Sequence, residues 1–284
     1  MKARESKSSK KLFILIAVVV ALIAGIGFFI YNKMNTASNQ DKVPVLQYYY
    51  LTKDKDKNEN PVLKDKKTAV SVETFEKQMK YLADNQYHTL TLEEFNQFIK
   101  NKKKLPKKSV LITFDNTSKS NYVYAYPILK KYNMRATSFA VTSRITNKEE
   151  KFNPKAFQML SMNEINKMKD VFEFGSHTHD LHKFKNGSAA LLAEGNQVVK
   201  NDISKSKDIL KSNYISYPFG QYNKDTIQIL KNLKMELAFT GIQGQGYATP
   251  ENKPLEIKRW FISVDTKMDT FEKIVSGKYE VPNK

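Results

Sequence analysis

The sequence predicts an α/β fold, a barrel of about seven parallel strands with helical crossovers. From residue 43 onward, segments rich in β-branched and aromatic residues alternate with segments of helical apolar spacing, which is typical of a parallel sheet. Polar residues follow several of the strand segments directly, at the carboxyl ends where α/β barrels place their active sites. Seven or eight strands over about 240 residues fit a barrel better than a sandwich.

Apolar periodicity and helix caps predict the first half of this region. Ser71 precedes a helix whose apolar residues recur at i, i+4 and i+7. Thr91 and Glu94 form a capping box before a second helix. A continuous apolar run over 109–114 predicts a strand buried on both faces. The other predicted elements of this half are strands over 43–51 and 135–142, a surface loop over 52–67 and a helix over 124–132.

The second half continues the alternation without an internal repeat. Ser161 and Glu164 form another capping box, and a strand over 171–175 leads into a cluster of histidines. The other predicted elements are helices over 188–210, 224–233 and 270–276 and strands over 214–217, 236–240 and 257–264. We therefore predict one domain over 43–284.

The first forty-two residues are predicted to anchor this domain. Residues 1–11 carry five basic residues and one acidic residue, whereas 12–31 carry no charge. Twenty residues of helix span about 30 Å, the thickness of a bilayer core. We expect a cytoplasmic tail (1–11), a transmembrane signal-anchor (12–31) and a tether (32–42). The basic flank then places the domain outside the cell membrane, or in the secreted fraction if the anchor is cleaved.

The composition limits the possible partners. The formal charge is +18, and +14 remains without residues 1–11, which favours association with anionic wall or membrane polymers. A lysine-rich solvated surface is the alternative interpretation. A nucleic-acid partner is not expected outside the membrane. The absence of cysteine excludes disulfides, thiol chemistry and a lipoprotein anchor.

Three of the four histidines lie within six residues, from His177 to His182. Neutral imidazole nitrogens bind zinc-type cations at about 2.0–2.1 Å, so His177 and His182 are candidate metal ligands. His179 lies between them and is expected to face away. Asp180 is a weaker candidate for holding a histidine tautomer, because surface solubility is the better explanation for it. A solvated, histidine-rich loop is the alternative for the whole cluster.

Two further polar segments follow predicted strands. Asp115 and Asn116 come directly after the buried strand, where an unpartnered acid would pay a desolvation cost. Asp115 is therefore a candidate general base or metal ligand, with a turn or helix cap as the alternative. The turn over 217–220 has a restricted backbone that could direct an N–H at a developing oxyanion.

Three segments, 113–116, 176–182 and 216–220, resemble in order and spacing the successive motifs of the NodB-homology polysaccharide deacetylases (carbohydrate esterase family 4). The spacing of the two candidate ligands, the segment 125–132 and the strand around Leu46 and Tyr48 are most similar to the biofilm poly-N-acetylglucosamine deacetylase branch. The resemblance spans about 43–265. It implies a distorted (β/α) barrel and metal-dependent N-deacetylation of N-acetylglucosamine polymers, either peptidoglycan or exopolysaccharide.

The resemblance also implies residue roles. Asp115 matches the catalytic base, and His177, His182 and Asn116 match the ligands of a divalent metal, which is expected to be zinc, with cobalt or nickel as alternatives. The residues expected to bind substrate are Tyr217, Pro218, Phe219, Tyr48, Arg259 and Trp260.

Two positions depart from the family pattern. Asn116 replaces an aspartate, and Tyr49 stands where that branch usually has histidine. A neutral amide should hold a divalent cation about tenfold to a thousandfold more weakly than a carboxylate. The alternative function is therefore an impaired deacetylase homologue that binds glycan or a wall partner without turnover.

Overall fold

The structure, a computed structural model, describes residues 41–57, 63–241 and 245–280. These residues belong to one compact unit, Gln40–Lys284. The predicted tail, the predicted signal-anchor and all but the last two residues of the tether lie outside the described residues. Within the described ranges, no helix is both long enough and apolar enough to cross a membrane.

Seven parallel strands form the main sheet of the described region. They are β1 (Val45–Tyr48), β5 (Ser109–Asp115), β6 (Ala136–Ala140), β7 (Phe172–Ser176), β10 (Tyr214–Ser216), β11 (Leu237–Phe239) and β12 (Trp260–Phe261). Their order is β11-β10-β7-β6-β5-β1-β12, and every neighbouring pair is parallel. A short strand, β4 (His88–Thr89), pairs with the start of β5.

The sheet curls into a half-barrel. Ile257 forms a parallel bridge with Phe239 of β11, and β12, a few residues later, pairs with β1 at the opposite edge. One short segment therefore contacts both edges of the sheet. This confirms the predicted α/β class with parallel strands. Two small ribbons lie outside the main sheet: β2 (Tyr50–Thr52) with β3 (Ala69–Ser71), and the hairpin of β8 (Phe184–Lys185) and β9 (Ser188–Ala189).

Helices connect the strands. They are α1 (Asp54–Lys57), α2 (Val72–Asp84), α3 (Leu92–Asn101), α4 (Tyr126–Lys131), α5 (Met162–Lys167), α6 (Ala190–Ala193), α7 (Asn196–Leu210), α8 (Lys224–Asn232) and α9 (Met268–Val275). Both predicted capping boxes are confirmed, because the Thr91 and Ser161 side chains accept from the N–H groups of Glu94 and Glu164 and each glutamate bonds back to its cap. Ser71 caps α2 as predicted.

The core lies between the sheet and its helices. All seven residues of β5 are buried, as the continuous apolar run predicted. The rings of Tyr48 and Phe114 stack at 5.3 Å, and Phe75 from α2 packs edge-on against both. This packing fixes β1 and β5 side by side, and their carboxyl ends lead into the polar segments of interest.

Four predicted elements differ from the structure. The long helix over 188–210 is wrong: β9 and α6 precede α7, which begins after Gly195 in an extended conformation. The first strand is split at Tyr49 into β1 and β2, and the last strand is only β12. The helix over 124–132 begins as a π-helical turn, Asn121–Ala125, and Pro127 occupies the first turn of α4, where its missing N–H costs little.

Candidate active site at the carboxyl ends of the strands

Buried polar residues meet where the central strands end. Asp115 ends β5, His177 follows β7 and Ser216 ends β10, whereas Arg259 lies at the amino end of the edge strand β12 and reaches Asp115 with its side chain. All four are at most 1% exposed. Because parallel strands place their carboxyl ends at one side of a sheet, residues far apart in the sequence form one cluster there.

An arginine clamps the candidate base Asp115. The Nη1 and Nη2 atoms of Arg259 donate to the two carboxylate oxygens of Asp115 at 2.9 and 2.8 Å, and its Nε donates to the carbonyl of Thr240 at 2.7 Å. This is the two-pronged geometry in which a guanidinium binds a carboxylate most strongly. The amide of Gln47 and the hydroxyl of Ser216 also donate to Asp115 Oδ2, at 2.8 and 3.3 Å. The carboxylate is therefore held in a fixed orientation.

The charge state of Asp115 follows from this environment. Burial raises the pKa of Asp115, but the positive charge of Arg259 and the hydrogen bonds from Arg259 and Gln47 outweigh it, and the pKa falls to about 2. Asp115 is thus ionised at neutral pH. Of its two carboxylate oxygens, only Oδ1 accepts a hydrogen bond from Arg259 and from no other donor.

His177 and His182 lie together beside this carboxylate. The Nδ1–H of His177 donates to the carbonyl of Ser216 at 2.8 Å, which leaves Nε2 as the atom with a free lone pair. The two imidazole rings are 4.6 Å apart. Burial lowers the pKa of His177, and burial followed by the neighbouring His177 lowers the pKa of His182 to about 3. Both rings are therefore neutral at physiological pH, as metal ligands must be.

The third histidine of the cluster has other partners. The Nδ1 of His179 forms a hydrogen bond with the hydroxyl of Thr142 at 2.9 Å. The backbone N–H of His179 donates to the carboxylate of Asp202. Asp180 is exposed and pairs with Lys183 at 2.6 Å. These contacts of His179 and Asp180 do not involve His177 or His182.

Asn116 presents an unused oxygen. Its Nδ2 donates to the hydroxyl of Tyr50 at 3.1 Å, whereas its Oδ1 is buried without a hydrogen-bond partner. A buried, unpaired amide oxygen is costly unless a ligand satisfies it. Within the described ranges, no group of three His, Cys, Asp or Glu side chains could hold a metal ion. Imidazole nitrogens and an amide oxygen are donor types that divalent cations accept, although an amide brings no negative charge, unlike a carboxylate.

The loops that carry these residues adopt left-handed backbone conformations. Asn116 and Thr117 have φ values of 73° and 53°, Thr178 has 73° and Phe219 has 57°. Such values are rare for residues other than glycine and cluster at functional sites, because the surrounding structure must hold them in place. Here they occur after β5, β7 and β10, the strands that carry the polar cluster.

The residues predicted to bind substrate lie in several places. Tyr217 and Pro218 are buried, and the N–H of Tyr217 donates to the carbonyl of Phe239 at 3.0 Å, so an oxyanion role would require that this bond be exchanged. Phe219 packs against His182, with ring centroids 4.5 Å apart. Arg259 clamps Asp115 and is fully buried, so its role is to position the carboxylate.

The predicted contacts of Tyr48 and Trp260 with substrate find no support in the structure. Tyr48 is fully buried and its hydroxyl donates to Gln78 at 2.8 Å, within the core. Trp260 is 2% exposed and packs between Tyr247 and Tyr279. Large aromatic side chains in well-packed cores serve mainly to stabilise the fold.

Four residues near the site were missed from the sequence. Gln47 and Ser216 bond to Asp115, Tyr50 bonds to Asn116, and Arg144 donates to the carbonyl of His182 at 2.7 Å. A glutamine in the middle of an apolar strand was a usable signal, because a buried polar residue needs a partner. Arg144 lies in a 3-10 turn after β6 and gave no sequence signal.

A separate cavity of about 600 Å³ lies at the opposite, amino-terminal ends of the strands. Its walls include Tyr87, His88, Lys130, Tyr132, Arg135 and Asp170. None of the predicted site residues lines it. This cavity is therefore separate from the polar cluster at the carboxyl ends.

Known proteins resemble this chain in sequence and in fold. The family profile described as polysaccharide deacetylase matches residues 102–238. A poly-beta-1,6-N-acetyl-D-glucosamine N-deacetylase of Staphylococcus aureus is 35% identical over 209 residues, which is 70% of this chain and 70% of the relative.

Solved structures give the same result. The Streptococcus pyogenes deacetylase PplD in complex with acetate has a TM-score of 0.69 and 27% identity, and the match covers 82% of this chain and 98% of that one. IcaB from Ammonifex degensii has a TM-score of 0.68 at 24% identity over 85% and 99% of the two chains, which is evidence for the fold alone.

Proposed function

This chain belongs to the polysaccharide deacetylase family, and on that premise we propose that it removes acetyl groups from the N-acetylglucosamine residues of an extracellular polysaccharide. The observation that carries the proposal is the ionised Asp115, clamped by Arg259, beside the neutral pair His177 and His182. The similarity to the staphylococcal poly-beta-1,6-N-acetyl-D-glucosamine N-deacetylase supports an N-acetylglucosamine polymer as the substrate.

We propose that His177, His182 and Asn116 hold a divalent cation, with zinc expected and cobalt or nickel as alternatives. Support comes from the free Nε2 of His177 and the unpaired Oδ1 of Asn116. When bound, such a cation supplies Lewis acidity to a carbonyl oxygen and increases the acidity of a water molecule.

The chain's own residues have defined tasks in this proposal. Asp115 accepts a proton from the attacking water at Oδ1, the oxygen with the single arginine donor. Arg259, Gln47 and Ser216 keep the carboxylate oriented, and they keep it charged until it accepts that proton. The water oxygen bonds to the acetyl carbon, and the proton held by Asp115 passes to the sugar nitrogen as the C–N bond breaks, which gives acetate and a free amine.

The same geometry supports a second candidate function. A carboxylate with a pKa of about 2 is a weak base at neutral pH, and the amide of Asn116 brings no negative charge to a cation. Both features would slow turnover. An impaired homologue that binds glycan or a wall partner without hydrolysis is therefore the alternative.

We further propose that the protein works at the outer face of the cell membrane. The uncharged segment 12–31 and its basic flank 1–11 support a single-pass anchor with the amino terminus in the cytoplasm. The basic charge of the remainder supports additional contact with anionic wall polymers, which should weaken as salt screens it. Cleavage of the anchor would give a secreted form.

The proposal is tested by measuring free amines released from an N-acetylglucosamine oligomer by the full chain loaded with zinc, cobalt or nickel. We expect slow release by the wild type, faster release by Asn116→Asp and none by Asp115→Asn. Release by Asn116→Asp alone would identify an impaired homologue. If neither the wild type nor Asn116→Asp releases amines with any metal, the proposed deacetylase activity is excluded.

A further inference from the structure

Two chains of aromatic contacts lead from the candidate active site to the surface. On one side, Phe219 packs 4.5 Å from His182, and Phe184 packs 4.2 Å from Phe219. On the other side, the Tyr50 hydroxyl accepts from Asn116, and Phe157 packs edge-on against Tyr50 at 4.9 Å. We call these pairs, Phe219 with Phe184 and Tyr50 with Phe157, the two aromatic arms.

The outer residue of each arm is unusually exposed. Phe184 is 59% exposed and Phe157 is 38% exposed. They are the two aromatic members of the exposed large apolar side chains of the described region, which also include Val198, Ile209 and Val264. An exposed phenyl ring does not contribute the stability that its burial would provide. Because both exposed rings lie next to one site, we infer that they contact a ligand there.

The arms lie on opposite sides of the site. Tyr50 follows β1, and Phe219 follows β10, with β5, β6 and β7 between those strands in the sheet. Four strand spacings correspond to about 19 Å along the sheet, and less across its curve. Strands β5, β6 and β7 therefore lie between the two arms along the sheet, an arrangement suited to an extended polymer.

Both outer rings are held in place by the backbone around them. Phe184 belongs to β8, whose hairpin turns at Asn186 and Gly187 with φ values of 51° and 80°, the conformation that favours Asn-Gly. The loop of Phe157 is joined to the segment after Asn116, because the N–H of Lys119 donates to the carbonyl of Gln158 and Ser118 bridges Met159. Rings that are already positioned lose little entropy on binding.

We propose that the two aromatic arms are polymer subsites, in which Phe184 and Phe157 each stack on the apolar C–H face of a hexosamine ring on either side of the reacting residue. The inference rests on the proposed function and extends it by assigning the residues that select a polymer over a single sugar. A pyranose ring with equatorial substituents presents C–H bonds on its faces, and covering such a face with a phenyl ring removes apolar surface from water. Isolated rings of this kind suit a chain of sugars, whereas a protein partner would need a continuous apolar patch.

The test measures the binding of β-1,6-linked N-acetylglucosamine oligomers of one to six units to the full chain by titration calorimetry. The variants are Phe184→Ala, Phe157→Ala and Phe184→Tyr, with Ile209→Ala on α7 as the control for loss of an exposed apolar side chain. Intact folding of each variant is checked by the fluorescence of Trp260, the only tryptophan of the sequence.

We expect each alanine variant to raise the Kd for the hexamer about fivefold to tenfold while the Kd for the monomer changes less than twofold. Phe184→Tyr and Ile209→Ala should bind every oligomer like the wild type. Equal losses for monomer and hexamer, no loss in either alanine variant, or no binding of any oligomer to the wild type would overturn the proposal.

The outcome is independent of turnover. Length-dependent binding through the arms without amine release would leave these subsites standing and reject the proposed hydrolysis. If the wild type releases amines and both alanine variants bind the hexamer like the wild type, the proposed hydrolysis stands and the subsites are rejected.

Discussion

At the scale of single residues, Asn116 is the residue on which the proposed cation site depends most. Its Oδ1 is buried without a partner, and its φ of 73° is a conformation that asparagine and aspartate both tolerate. In the proposed site, an aspartate at this position would place a negative charge beside two neutral imidazoles at little conformational cost. We therefore expect the charge of this one side chain to set the metal affinity.

The substitution Asn116→Asp is expected to tighten zinc binding about tenfold to a thousandfold, because a carboxylate replaces a neutral amide. Calorimetric titration of the two proteins with zinc measures the change. Asn133→Asp, which makes the same charge change at an exposed residue of φ 53°, is the control and should bind like the wild type. Equal affinities for wild type and Asn116→Asp would show that position 116 is not a ligand.

Arg259 is the other decisive residue, since it neutralises a buried carboxylate. Arg259→Met should lower the free energy of unfolding by about 3–5 kcal/mol, because Asp115 would be left charged and unpaired in the interior. The double variant Arg259→Met with Asp115→Asn should recover part of that loss. Urea unfolding followed by Trp260 fluorescence gives the values.

The matched control for Arg259 is Lys130→Met. It breaks an ion pair with Asp170 whose side chains are about half exposed, and such pairs contribute less than about 1 kcal/mol. If the two single variants lose the same stability, the clamp has no special role in the fold.

At the scale of elements, the strand ends deliver the chemistry. The sequence predicted β5, β7 and β10 to within one residue at each end, and for β5 the signal was a continuous apolar run followed directly by polar residues. The hairpin of β8 and β9 was missed because the apolar residues of 189–192 extend the helical spacing of the next segment. The Asn186-Gly187 turn was the available signal for the hairpin.

The turn Pro218–Gly220 shows how an element positions a site residue. Gly220 has a φ of 69°, and a Cβ there would lie 2.6 Å from the backbone nitrogen of Gly241. This close approach holds Phe219 against His182.

Gly220→Ala should therefore lower the free energy of unfolding by about 1–3 kcal/mol more than Gly187→Ala does. Gly187 has a φ of 80° but nothing within 4 Å of an added Cβ, so it reports the backbone strain alone. Thermal or urea unfolding of the two variants isolates the contribution of the contact. Equal losses would mean that the close approach of Gly220 to Gly241 does not contribute to the free energy of unfolding.

At the scale of the whole molecule, alternation of strand and helix sufficed to predict a parallel α/β architecture. Strand order and the clamp could not be predicted, because Arg259 and Asp115 are 144 positions apart and nothing local connects them. The last strand was overestimated for a related reason. Its residues 257–261 leave one edge of the sheet and join the other, so the apolar run is buried without continuous pairing.

The most direct test of the account is the release of acetate from a β-1,6-linked N-acetylglucosamine polymer by the full chain, with zinc present, after removal by a chelator and after zinc is restored. We predict one acetate for each free amine formed, loss of release with the chelator, recovery on restoration, and no release by Asp115→Asn under any condition. Acetate release that persists unchanged in Asp115→Asn, or its absence from both the wild type and Asn116→Asp with every metal, would contradict the account.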